Sequence, residues 1–100
     1  MNELITTFTG ILNGESQSLV NARDLHTVLG SGRQFANWIQ ERIETYGFID
    51  GEDFLTNLSK SLIGRPKAEY HVSLDMAKEL CLVENTKQGR KARRYFIEVE

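Results

Sequence analysis

A chain of 100 residues, 40% hydrophobic with nine aromatic side chains, can build one modest core, and no second domain is expected. Its net charge of −2 and pI near 5.7 fall short of a basic nucleic-acid domain, yet the charge is uneven: through Asp53 there are eight acids against three bases, and from Phe54 onward six acids against nine bases. The single cysteine, Cys81, cannot form an internal disulfide, the N-terminus lacks a secretory signal, and no run approaches the ~20 apolar residues of a membrane span, so a soluble cytoplasmic protein is expected.

Asn13-Gly14 stands between two short β-forming stretches, residues 5–12 and 17–20. A type I′ turn needs positive φ at both central positions, which this pair tolerates, so the spacing predicts a hairpin; the alternative is an N-terminal helix through Leu4, Ile5 and Phe8. Asn21 then reads as an N-cap, with Asp24 near the positive end of a short helix over Ala22–Leu29. Its apolar residues Ala22, Leu25, Val28 and Leu29 recur at three and four, and Gly30 supplies the stop. Ser31 and Gln34 have capping-box spacing and predict a second helix running to Tyr46, with Phe35, Trp38, Ile39, Ile43 and Tyr46 as its buried stripe and Gly47 beyond.

Short helix, glycine turn and longer helix form the outline of a helix-turn-helix, whose second helix often enters a DNA groove. The outward side of this second helix carries Asn37, Gln40, Glu41 and Glu44 with Arg33 and Arg42, which is no phosphate-seeking surface, so structural and protein-binding readings stand beside a DNA-binding one.

A turn-rich acidic connection over residues 47–54 leads into a second predicted hairpin with strands at 54–58 and 69–73. Gly64 and Pro66 argue against regular structure between them, and Lys60, Arg65 and Lys67 make that connection either a basic wing or an ordinary soluble loop.

Residues 73–100 read as two helices. The first is apolar on most of its surface, Asn85-Thr86 offers a break and a fresh N-cap, and the second carries Lys87, Arg90, Lys91, Arg93 and Arg94, five basic residues in eight positions. On a helical wheel Ala92, Phe96 and Val99 share one side with Tyr95 at its edge, while Lys87, Arg90, Lys91 and Arg94 share the other. Such a face is either solvated surface, helped by an Arg94 to Glu98 pair, or a contact face for an acidic partner, nucleic acid or protein. The two halves share a plan, hairpin then helix, break and helix, which places Trp38 and Phe96 on core-facing sides. The fold class is therefore α+β, a small domain of two hairpin-helix-helix units around one core.

Chemistry-bearing patterns are sparse. His26 and His71 are far apart and lack metal-ligand spacing; His26 falls at the edge of an apolar stripe, and Cys81 reads as packing. No Walker A, Gly-x-Gly-x-x-Gly, Gly-x-Ser-x-Gly or Cys-x-x-Cys motif occurs, and Glu52-Asp53 reads as an acidic turn rather than a catalytic carboxylate pair. No cofactor or metal is expected, and a binding module is favoured over an enzyme, the alternative being a Ser/His or Cys/His arrangement formed only by folding.

Val20-Asn21-Ala22-Arg23-Asp24-Leu25-His26, Phe35-x-x-Trp38-Ile39-x-x-Arg42-Ile43, Tyr46-Gly47-Phe48 and Gly51-x-Asp53-Phe54 resemble the N-terminal domain of AntA/AntB phage antirepressors. Leu74-Asp75-Met76-Ala77-Lys78-Glu79-Leu80 and Gly89-Arg90-x-Ala92-Arg93-Arg94-Tyr95-Phe96-Ile97-Glu98 follow in the same order, with Cys81 where an alanine is usual. The resemblance implies a phage or prophage protein that binds a phage repressor, keeps it from its operator and switches lysogeny towards lytic growth. Longer relatives carry a second, C-terminal domain, so the chain is either a fragment or a small protein complete in itself. The leading partner is a repressor protein met by Lys87, Arg90, Lys91, Arg93 and Arg94, with Lys60, Arg65 and Lys67 in support. The rival readings are a winged-helix-like regulator that binds DNA through the same residues, and a homo-oligomerising module of a larger antirepressor.

Overall fold

The computed structural model describes residues 5–59, 67–84 and 86–99. Two β-hairpins, each followed by two helices, make an α+β domain: β1 (Thr7–Leu12), β2 (Glu15–Asn21), α1 (Ala22–Leu29), α2 (Phe35–Tyr46), β3 (Phe54–Ser59), β4 (Lys67–Ser73), α3 (Leu74–Glu84) and α4 (Lys87–Val99).

Local chemistry explains most of these boundaries. Asn13 and Gly14 take φ of 54° and 76°, the conformation a two-residue hairpin turn requires, so residues 7–12 form a strand and the N-terminal helix alternative is excluded there. The Asn21 side chain accepts from the amides of Arg23 and Asp24, and Gly30, at φ 67°, ends α1 in the left-handed region where a Cβ would be strained. The capping box does not form. The Ser31 hydroxyl accepts from the Arg33 amide, Gln34 is itself the extended residue before α2, and its side chain accepts from Asn37 instead of from a helix amide. The second helix therefore starts at Phe35. Ser73 and Thr86 do cap their helices, accepting from the amides of Met76 and Gly89 at 3.1 and 3.0 Å.

The strands form one antiparallel sheet in the order β1-β2-β4-β3, joined at its centre by Leu19↔Ser73, Val20↔Val72 and Asn21↔His71. This register is symmetric about the Val20/Val72 pair, and on either side of it Asn21 and Ser73 end their strands and cap the following helices. The duplicated plan is thus present in the topology. Val20 and Val72 lie in a single buried cluster with Leu25, Leu29, Phe35, Trp38, Ile39, Met76, Leu80 and Phe96. Trp38 and Phe96 are both fully buried.

Two stripe predictions need correction. Tyr46 is 48% exposed and Val99 43% exposed, because each lies in the last turn of its helix, beyond the reach of the core. The second hairpin has longer strands than residues 54–58 and 69–73, and the connection holding Lys60 and Arg65 lies outside the described residues, as does the side chain of Lys67 at the start of β4. Among the described residues no helix is long and apolar enough to cross a membrane.

Candidate functional site

The arginines of the first half are engaged within the fold. Arg23 pairs with Glu69 at 3.3 Å and lies 4.4 Å over the Phe35 ring. Arg33 meets Glu41 at 3.5 Å, and Arg42, predicted on the outward side of α2, is turned inward to Glu41 at 3.1 Å and Glu84 at 3.2 Å. The helix-turn-helix outline accordingly leaves α1 and α2 without an unpaired arginine for a phosphate backbone.

Most of the distinctive motif residues of this region prove to be scaffold. His26 packs in a three-ring cluster with Phe35 and Trp38, and its Nε2 lies 2.8 Å from the Arg33 carbonyl, which only accepts, so Nε2 carries a proton. His71 sits edge-on to Phe8 at 4.9 Å and contacts Asn57 through Nδ1. The Asp53 carboxylate accepts from the Ile49 amide at 2.9 Å, closing the acidic turn before β3. Cys81 is buried, and burial pushes its thiol up to about 12 against the opposing Arg93 charge. An inert packing cysteine is the result.

The helix α4 differs. Gly89, Ala92 and Phe96 face inward, Tyr95 donates its hydroxyl to the Ile5 carbonyl at 3.1 Å, and Lys87, Arg90, Lys91, Arg93 and Arg94 are exposed. None of these five makes an ion pair with a described residue, and the Arg94 to Glu98 pair is not formed. Gly89 makes the arrangement feasible: α3 and α4 cross so closely there that a Cβ would come 2.6 Å from the Cys81 carbonyl oxygen. A strongly cationic helix is thereby clamped on an apolar partner and turns its unneutralised charge outward.

Sequence periodicity missed two neighbours of this face. Leu82 of α3 is 57% exposed and Ile97 of α4 is 49% exposed, and each shares a surface hollow with Arg93. Leu82 follows Asp75, Lys78 and Glu79 at seven, four and three residues and so shares their outward side of α3, a signal that the overall apolar character of the helix obscures.

The model of the AntA/AntB antirepressor family matches residues 20–86. That segment takes in the motifs from Val20 to Leu80 and stops at the start of α4, so the Gly89 to Glu98 motif and the five cations lie beyond it. No curated protein and no solved structure matches the chain. With the match spanning well over half its length, the chain belongs to the AntA/AntB antirepressor family.

Proposed function

We propose that residues 1–100 act as one antirepressor domain in the cytoplasm of a bacterial host, binding a phage repressor protein and keeping it from its operator. The family implies the antirepressor role and, at a coarse level, contact with a repressor. The observation that carries the mechanism is the charge on α4: Lys87, Arg90, Lys91, Arg93 and Arg94 are exposed and without a described carboxylate partner, whereas Arg23, Arg33 and Arg42 are all paired. Lys60, Arg65 and Lys67 are further candidates for this contact by their charge alone. Recognition is by contact and requires no catalytic step or cofactor. An acidic patch on the repressor meets this surface, and association slows as salt rises because charges more than about 10 Å apart are screened at 0.1 M.

The test is operator release. A phage repressor is bound to its operator DNA, and the purified chain is titrated in while the DNA mobility shift is followed. Release by the wild-type chain, lost in the Arg90→Glu plus Arg94→Glu variant, is the expected result. A wild-type chain that shifts unrelated duplex DNA by itself, steeply weakened by salt, reverses the assignment in favour of direct DNA binding.

A further inference from the structure

Two hollows lie end to end along the seam of α3 and α4, with volumes of about 520 and 630 Å³, and they share Leu82 and Arg93. The first is walled by Lys87, Arg90 and Arg93 at the end where α3 passes into α4. The second adds Ile97 and opens towards Asp53, Asp75 and Glu79 at the start of α3. Lys78 also lines this end and pairs with Asp75 at 3.3 Å, and three carboxylates against its one ammonium leave the end net acidic. The seam is therefore cationic at one end, anionic at the other, and apolar between them at Leu82 and Ile97.

We propose that this seam is a docking groove for a short amphipathic α-helix of a protein partner. Its apolar stripe rests on Leu82 and Ile97, its carboxylates face Lys87, Arg90 and Arg93, and its basic end faces Asp53, Asp75 and Glu79. The inference rests on the protein-contact reading of α4 and names the chemistry of the partner.

Three observations select this occupant. A groove between two packed helices presents ridges into which a third helix fits, and the eleven residues of α3 set a length of about 16 Å, or three turns of partner helix. Half-exposed Leu82 and Ile97 supply apolar anchors that a phosphate backbone does not use. The reversal of charge along the seam repels a uniform polyanion at Asp53, Asp75 and Glu79, while it complements a helix carrying acids in one half and lysines in the other.

The probe is a fluorescein-labelled synthetic helix of about 16 residues, with leucines at i, i+4, i+7 and i+11, glutamates in one half and lysines in the other. Binding to the full chain is followed by anisotropy, and the site by amide chemical shifts. The expected result is saturable binding that perturbs Leu82, Arg93 and Ile97 and weakens about tenfold or more when the peptide leucines become serine or when the chain carries Leu82→Ser plus Ile97→Ser. Both substituted residues are exposed, and circular dichroism confirms that the variant is folded. No binding, equal binding by the double variant, or shifts confined to other surfaces overturns the groove.

Operator release separates this failure from that of the underlying reading. If the Leu82→Ser plus Ile97→Ser chain still releases repressor while Arg90→Glu plus Arg94→Glu does not, the groove falls and the contact reading stands. A wild-type chain that never releases repressor overturns the contact reading, and with it the assignment of the groove to an antirepressor partner.

Discussion

Trp38 donates its indole N–H to the Glu84 carboxylate at 3.0 Å, joining the middle of α2 to the last turn of α3. The same oxygen accepts from Arg42 at 3.2 Å, and the Arg42 Nε atom is buried without an acceptor. One carboxylate thus serves two donors in a mostly buried setting. Glu84→Ala is expected to cost about 2–4 kcal/mol, because it strands a guanidinium already short of one partner together with an indole N–H. Glu84→Gln keeps an acceptor for Trp38 and should cost about half as much. Urea denaturation measures both, and a Glu84→Ala midpoint equal to wild type would remove the network from the account of stability.

Replacing glycine by alanine inside a helix ordinarily stabilises it by roughly 0.5–1 kcal/mol. At Gly89 the sign should reverse. The added methyl would meet the Cys81 carbonyl oxygen at 2.6 Å, a backbone atom that moves only if α3 and α4 separate. Gly89→Ala is expected to destabilise by about 2 kcal/mol or more, read as a lower thermal midpoint. A stabilised variant would show that the two helices are not held at this separation.

The helix caps make a graded series. Asn21→Ala and Ser73→Ala each remove an acceptor from first-turn amides and should cost about 1 kcal/mol, whereas Gln34→Ala should stay within about 0.5 kcal/mol because Gln34 makes no side-chain cap bond. Equal losses at all three positions, measured by chemical denaturation, would contradict the assigned caps.

Cys81 predicts a pH dependence of defined sign. Its thiol is pushed up to about 12 in the fold from a value of 9.0 without burial, so the unfolded chain releases that proton first. The contribution is fully present below pH 9 and is lost as the pH rises towards 12, at about 1.4 kcal/mol per pH unit. Because lysines and tyrosines titrate in the same range, the measurement is the difference in urea midpoint between wild type and Cys81→Ala from pH 8 upward. A constant difference would mean the thiol ionises as readily in the fold as outside it.

Legibility in the sequence tracked the range of the interaction. Asn13-Gly14, Asn21, Gly30 and Gly47 act on backbone within a few residues of themselves, and each ended or turned its element where composition placed it. Ser31 and Gln34 have the right spacing for a capping box, but Ser31 serves the Arg33 amide within the loop and Gln34 takes the cap position without capping. Tyr46 and Val99 continue their stripes by period alone, yet the core ends one turn before either. Glu84 was not legible as a partner for Trp38 and Arg42, since nothing local to residue 84 reports on residues more than forty positions away.

The sequence by itself determined the alternation of hairpins and helices, the buried tryptophan and phenylalanine, and the crowding of positive charge onto one late helix. These follow from turn chemistry and from the 2.0 and 3.6 periods, which act along the chain. Tertiary structure decided which cations remain unpaired, because pairing depends on carboxylates brought in from other elements: Arg23 and Arg42 find Glu69 and Glu84, while α4 packs through Gly89, Ala92 and Phe96 and none of its five cations reaches a described carboxylate. It also decided that Leu82 and Ile97 stand beside Arg93 on an open seam, a juxtaposition set by how closely two helices cross and by nothing encoded within either one.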